Sequence, residues 1–361
     1  MARSRGAEIG GRPRGRVLVT GAAGFVGGYV VTELLNRGYQ VTGLDNLSKF
    51  GERHVPCAGR PGYRFVGGDA RDLELVAGLL AGCEHFIAGA AMVGGVGYVH
   101  RYPYDLLAAN ERITATACDA AIAAHRAGEL RKVTFLSSSM VYENAESWPS
   151  REGQQFRMPP PATAYGFQKL AVEYFARAAW DQYGLPFTIV RPFNCVGAGE
   201  ACSAGQGGIG AGPTDSHVVP DLVYRALTGQ DPLHVLGSGE QVRHYTYGGD
   251  LAAGIVTAME HPAATGEDFN LAADRGTTVT ELATLIWHKI HGPDSPPRLI
   301  RDEPYPDDVQ RRVPDTAKAR RLLGFTARTT LEEMIDEVIA EVRDVVLTGG
   351  AAPRSSAAGP P

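Results

Sequence analysis

Thr20-Gly21-Ala22-Ala23-Gly24-Phe25-Val26-Gly27 follows an apolar run at Arg16–Thr20 and opens a stretch with apolar residues at helical spacing. Few folds accept a strand that feeds a helix through glycines at every third position. The glycines leave no side chains where the chain turns and where phosphates can approach. The helix start then offers amide donors and the positive end of its dipole. The helix expected over 24–37 stops at Gly38, a suitable C-cap. Short apolar runs recur at 40–44, Tyr63–Gly67, His85–Ala88, 133–137 and 187–190, with helical stretches between them, clearest at 106–125 and Ala164–Tyr183. This alternation predicts an α/β fold built on a doubly wound parallel sheet of the Rossmann type.

Beyond Pro192 the texture changes. Residues 197–213 are glycine-rich and polar, and are expected to form a loop that closes over the site. A helix at 221–227, a short strand at 233–235 and a helix at 250–260 follow, the last returning to the first domain. Helices at 280–288, 316–323 and 331–346 are expected to cap the carboxyl edge of the sheet, where open α/β folds bind ligands. The expected domains are therefore 15–192 with 244–273 for a dinucleotide, and a smaller, mainly helical substrate domain at 193–243 with 274–347. Residues 1–14 and 348–361 read as a disordered leader and tail.

Bulk properties narrow the function. A net charge of -5 gives no electrostatic case for nucleic acid. No apolar run approaches the length of a membrane span. Five scattered cysteines without CxxC spacing suit reduced thiols in a cytoplasm and predict no metal site.

Two further features give the chemistry. Asp45 ends the second strand, 18 residues after Gly27, where an acid would bind the adenosine ribose and repel a 2′-phosphate, so NAD is expected over NADP. Asp69, in Gly67-Gly68-Asp69, either meets the adenine or closes a turn. Tyr165 and Lys169 stand four apart on one helix and share a face, and Ser138 lies at the end of a preceding strand. An ammonium beside a phenol favours the phenolate, so Tyr165 can take a hydroxyl proton while Ser138 hydrogen-bonds the same oxygen.

With these residues in view, the chain resembles the nucleotide-sugar epimerase/dehydratase branch of the extended short-chain dehydrogenases/reductases. The likeness runs from Arg16 to Val346 through Thr20–Gly27, Asp45, Gly68-Asp69, Ser137 to Tyr142, Ala164 to Lys169, Arg191-Pro192-Phe193-Asn194 and Gln241-Val242-Arg243. It implies a cofactor surface from Gly21, Ala23, Gly24, Phe25, Val26 and Gly27, from Asp45 and Asn46, and from Asp69 and Ala70. Ala88, Gly89, Ala90 and Asn110 would add to it, as would Tyr165, Lys169, Pro192 and Val196. A nucleotide-diphosphate sugar would meet Gly94, Ser138, Ser139, Met140, Asn194, His217 and Val218. Arg243 would grip its diphosphate, with Arg311 or Arg312 as the second arginine and Arg311 assigned to the substrate. The resemblance also implies a homodimer formed through the tyrosine-bearing helix and the helix before it.

Stretches such as Ala91 to Val96 and Ser216-His217-Val218-Val219-Pro220 are similar to the GDP-fucose synthase and GDP-mannose 3,5-epimerase subgroup. Met140 stands where those enzymes carry a cysteine base, whereas His217 matches the acid and serves either the substrate or the start of a helix. The Asp-Glu pair of 4,6-dehydratases and the Glu of decarboxylating relatives are replaced by Ser139-Met140. What remains is Ser138, Tyr165 and Lys169 with NAD, enough for reversible oxidation at one sugar carbon. The expected activity is a nucleotide-sugar 4-epimerase. A 4-keto-6-deoxy-sugar reductase or epimerase-reductase is the alternative. A non-catalytic dinucleotide sensor is a third reading, against which the intact Tyr165 and Lys169 pair argues.

Overall fold

The computed structural model describes residues 14–49, 55–200, 217–305 and 308–347. The expected leader and tail, apart from Arg14, and the glycine-rich segment from residue 201 onward lie outside them.

Seven strands form the central sheet: β1 (Arg16–Thr20), β2 (Gln40–Asp45), β3 (Tyr63–Gly67), β4 (His85–Ala88), β5 (Lys132–Leu136), β6 (Phe187–Pro192) and β7 (Glu267–Leu271). Their order is β7-β6-β5-β4-β1-β2-β3, and all pair in parallel. The connecting helices are α1 (Phe25–Asn36), α2 (Leu73–Leu80), α3 (Val96–Arg101), α4 (Pro103–Arg126), α5 (Ala164–Tyr183), α6 (Val218–Leu227) and α7 (Gly248–Glu260), followed by α8 (Val279–His291), α9 (Ala317–Leu323) and α10 (Leu331–Leu347). Val17, Leu18 and Val19 are wholly buried because helices cover both faces of the sheet. One face packs Val30, Val31 and Leu34 of α1 against Leu251, Ile255 and Met259 of α7. The other packs Val76 and Leu80 of α2 with Ala117 and Ala121 of α4 and Val172 and Ala176 of α5.

A separate core joins α6, α8 and α10 through Leu222, Val223, Leu282, Ile286, Ile335 and Val338. The expected cap therefore forms, with one correction. The helix expected at 316–323 packs into the sheet domain: Ala319 and Leu323 of α9 and the following Phe325 join the α1–α7 core.

Register sets the position of the site. Thr20 pairs with Leu44 on one side and Ala88 on the other, and Leu136 pairs with Val190. The carboxyl ends of β1, β2, β4, β5 and β6 thus share one edge. Strand order reverses between β1 and β4, which opens a crevice there.

The turn after β1 depends on Gly27. A Cβ there would lie 1.9 Å from the Gly21 carbonyl oxygen. Gly27→Ala is expected to lower stability by about 1–3 kcal/mol, from overpacking against backbone that cannot move aside. Urea titration checks this, and an unchanged midpoint would contradict the geometry of the turn.

Candidate active site

The crevice is one end of a continuous cavity of about 1640 Å³. That exceeds the roughly 300–1,000 Å³ of a site for one small ligand and suits a dinucleotide with a second nucleotide. At its β1 end Gly21 adopts φ +74°, and a Cβ there would lie 2.9 Å from the Ala90 backbone. Gly24 caps α1 without a side chain, so the first amides of the helix stay open to a ligand. Asp45 accepts the Ala23 N–H at 3.0 Å and the Leu47 N–H at 2.8 Å, tying the end of β2 to the glycine turn. The Thr20 hydroxyl accepts from the N–H groups of Gly89 and Ala90, both at 3.3 Å. Asp69 is held by Arg71 at 2.6 Å, and this partner keeps its carboxyl below the usual range. A glycine cradle that any Cβ would fill, open helix amides and an acid ending β2 together fit NAD.

The remaining expected cofactor residues, Ala23, Phe25, Val26, Asn46, Ala70, Pro192 and Val196, also line this cavity. Ala88 and Asn110 do not. Ala88 packs against the core on the α2–α4 side of the sheet. Asn110 is buried, and its amide accepts the Met92 N–H at 2.7 Å and donates to the Met92 carbonyl at 3.0 Å. It shapes the loop after β4 and does not form the wall itself.

Tyr165 lies in the first turn of α5. Thr163 caps that helix by accepting the Gly166 N–H, while its own N–H and hydroxyl each donate to Glu143 at 3.1 Å. Ser138 caps the short 3₁₀ turn Ser139–Tyr142, and its hydroxyl favours ionisation of the Tyr165 phenol. Gly166 lets helix and turn meet, since a Cβ there would lie 2.6 Å from Pro161 and 3.0 Å from the Met140 carbonyl. Lys169 donates to the Leu136 carbonyl at 2.9 Å, and its Nζ is 5.8 Å from the centroid of the Tyr165 ring. Burial raises the Tyr165 phenol, against the opposing effects of Ser138 and of the Arg312 charge. Burial also lowers Lys169 to about 8.

The cavity wall also carries two arginines, Arg243 and Arg312. Arg243 is buried, donates to the Val242 carbonyl at 3.0 Å and has Asp308 at 3.6 Å. Here the structure corrects the expectation for Arg311. Val242 bridges residues 310–312 as in a parallel strand pair, accepting the Arg312 N–H and donating to the Gln310 carbonyl. Successive side chains on such a segment point to opposite sides. Arg311 is exposed and lies over the Trp148 ring, whereas Arg312 enters the cavity wall. The Arg312 guanidinium makes no hydrogen bond or ion pair among the described residues, and its Nε is buried without a partner. Burial, then the neighbouring Arg243 charge, lower it to about 9.

Gly94, Ser139, Met140, Asn194, His217 and Val218 also line the cavity. Asn194 has φ +35° and a buried, unpartnered Oδ1. His217 pairs with the Glu200 carboxylate. Sequence reading missed Glu143, Glu200 and Asp308, and a ring stack of His100 on Tyr305 at 4.4 Å that joins α3 to the cap across the cavity. A carboxylate three residues after Met140 was the available signal for Glu143. The other three come from segments with no periodic or motif signature.

Lys169 has a measurable signature. A buried lysine with a depressed pKa binds fewer protons folded than unfolded between about pH 8 and 10.5. Its penalty on folding is complete below that window and disappears as pH rises through it. Lys169→Met is therefore expected to gain up to roughly 3 kcal/mol at pH 7, because burial holds the Lys169 ammonium at about 8. Denaturant melts at pH 7 and above pH 10 test this, and the gain should shrink at the higher pH.

The chain is 31% identical over 340 residues to the UDP-glucose 4-epimerase of Bacillus subtilis, covering 88% of this chain and 94% of that protein. The crystal structure of UDP-glucose 4-epimerase from Thermotoga maritima with UDP-glucose superposes with a TM-score of 0.77 at 28% identity, over 92% of this chain and 99% of that one. UDP-glucose 4-epimerase from Bifidobacterium longum, in complex with NAD+ and UDP, gives 0.74 at 25% identity, over 91% and 98%. Residues 17–272 match the model of the NAD-dependent epimerase/dehydratase family, so this chain belongs to that family.

Proposed function

We infer that the chain is a nucleotide-sugar 4-epimerase. The observation that carries this reading is a lone Ser138–Tyr165–Lys169 set in a cavity that runs from an NAD cradle to two arginines. Next to Ser138 the wall offers Ser139 and Met140, and neither can add the acid or base needed for elimination or for 3,5-epimerisation. The Glu143 carboxylate lies close by, but it accepts from Thr163 at the start of α5.

Arg243 and Arg312 would hold the diphosphate and bring the sugar hydroxyl to Tyr165. Ser138 would hydrogen-bond that oxygen as Tyr165 removes its proton, with the Lys169 ammonium favouring the phenolate. NAD supplies a site for the hydride that leaves the sugar carbon and later returns to it, so no net redox partner is consumed. The sugar presents its other face between the two transfers, and Tyr165 gives the proton back.

We further propose a cytoplasmic homodimer. Cys57, Cys83, Cys118 and Cys195 form no disulfide, and no described helix is long and apolar enough to cross a membrane. The helices α4 and α5 pack side by side, and α5 leaves Phe167, Tyr174 and Trp180 exposed for a second copy.

Tyr165→Phe is expected to abolish interconversion of UDP-galactose and UDP-glucose while NAD stays bound, as read by mass spectrometry of the denatured protein. Normal turnover in that variant would sink the mechanism. A reductase would instead consume reduced cofactor in step with product. Arg243→Met and Arg312→Met should each raise KM about tenfold or more, the loss of a charged hydrogen bond, whereas Arg311→Ala should leave steady-state kinetics unchanged.

A further inference from the structure

We propose that Ser137 and Glu173 are positioning residues for the Ser138–Tyr165–Lys169 set, acting through a buried ionic network behind it. The inference rests on the reading of that set given above.

Glu173 lies one turn beyond Lys169 on α5 and has no exposed surface. Its Oε1 accepts the Ser137 hydroxyl at 2.7 Å and Arg191 Nε at 2.6 Å. Its Oε2 accepts Arg191 Nη2 at 2.7 Å and the Gln155 amide at 2.8 Å. Ser137 Oγ is also 3.3 Å from the Lys169 carbonyl oxygen, and the Lys169 ammonium donates to the carbonyl of Leu136, the residue before Ser137. The end of β5 is thus stitched to α5 at three points, and Ser138 follows directly.

The other end of the serine turn is held by the same network. The Arg191 guanidinium lies 5.5 Å from the centroid of the Tyr142 ring, and the Tyr142 hydroxyl donates to Asn270 at 3.0 Å. Arg191 also pairs with Asp268, which Lys318 and Arg177 reach from outside. Ser137 before Ser138, and Tyr142 at the end of the turn, are therefore gripped by two halves of one ion pair.

Burying such a pair is poor value for stability, because desolvation offsets most of the attraction and apolar packing would serve a core as well. What ions offer here is direction. A carboxylate saturated by four donors leaves the serine turn and the lysine helix one relative placement, and misplacement on the order of 1 Å is worth about a hundredfold in rate.

Ser137→Ala removes one hydroxyl and leaves the Arg191–Glu173 pair intact. With UDP-galactose, kcat is expected to fall on the order of tenfold at unchanged KM, with the thermal midpoint within about 2 °C of wild type. Ser137→Thr, which restores the hydroxyl, should recover most of kcat. Glu173→Gln, which keeps volume but not charge, should lose more kcat, again without a rise in KM. Wild-type kcat in Ser137→Ala would overturn the proposal, as would a loss that tracks a fall in thermal midpoint and is not recovered by threonine. Tyr165→Phe run alongside separates the two readings: turnover there condemns the assignment of the site, whereas an inert Tyr165→Phe beside an unaffected Ser137→Ala condemns only the positioning role.

Discussion

Parallel register is the constraint on which the rest of this molecule depends. Each strand must run the same way, so the chain must cross back to the opposite end of the sheet between strands, and five strands then end along one edge. From that edge hang the glycine turn after β1, Asp45 at the end of β2, Gly89 and Ala90 after β4, Ser138 after β5 and Asn194 after β6. Residues far apart in the chain meet because their strands stop at the same level. The reversal of order between β1 and β4 opens the space they share.

Burial gives that space its chemistry, and it acts against the charges the chemistry needs. It raises the Tyr165 phenol and lowers the Lys169 ammonium, moving each toward its neutral form. The Ser138 hydroxyl and the Arg312 charge restore part of the acidity of Tyr165. Arg312 itself stands without a protein partner among the described residues, beside a second guanidinium. Such a cluster destabilises the ligand-free protein and is relieved by an anionic ligand. Behind the wall the buried charges find their partners within the protein: Arg191 pairs with Glu173 and Asp268, and Lys318 pairs with Asp268 as well. One set of buried charges faces a ligand, and the other faces the fold.

Much of this was legible before folding. The strands over β1 to β4 and the helices α1 and α5 follow from apolar spacing, and the glycine turn, Asp45, Ser138, Tyr165 and Lys169 line one cavity as expected. The misses have particular causes. Arg311 and Arg312 are adjacent and chemically identical, and only the bridge at Val242 decides which of them faces inward. Asn110 sits on a helix that approaches the site, yet its amide is taken up by Met92. The helix α9 has the amphipathic pattern of a cap helix, but Ala319, Leu323 and Phe325 find their partners on the sheet domain.

What the sequence by itself determined is the order of strand and helix, the glycine cradle and the spacing of the proton-handling pair. These rest on interactions within a few residues, where periodicity and backbone sterics suffice. Only the tertiary structure decided which arginine enters the cavity, that Glu143 holds Thr163, the cap of the helix of Tyr165, and that Glu173 grips Ser137 while Arg191 reaches Tyr142. Those contacts join side chains whose separation along the chain says nothing of their distance in space. They exist because parallel pairing brings β5, β6 and β7 together beneath α5.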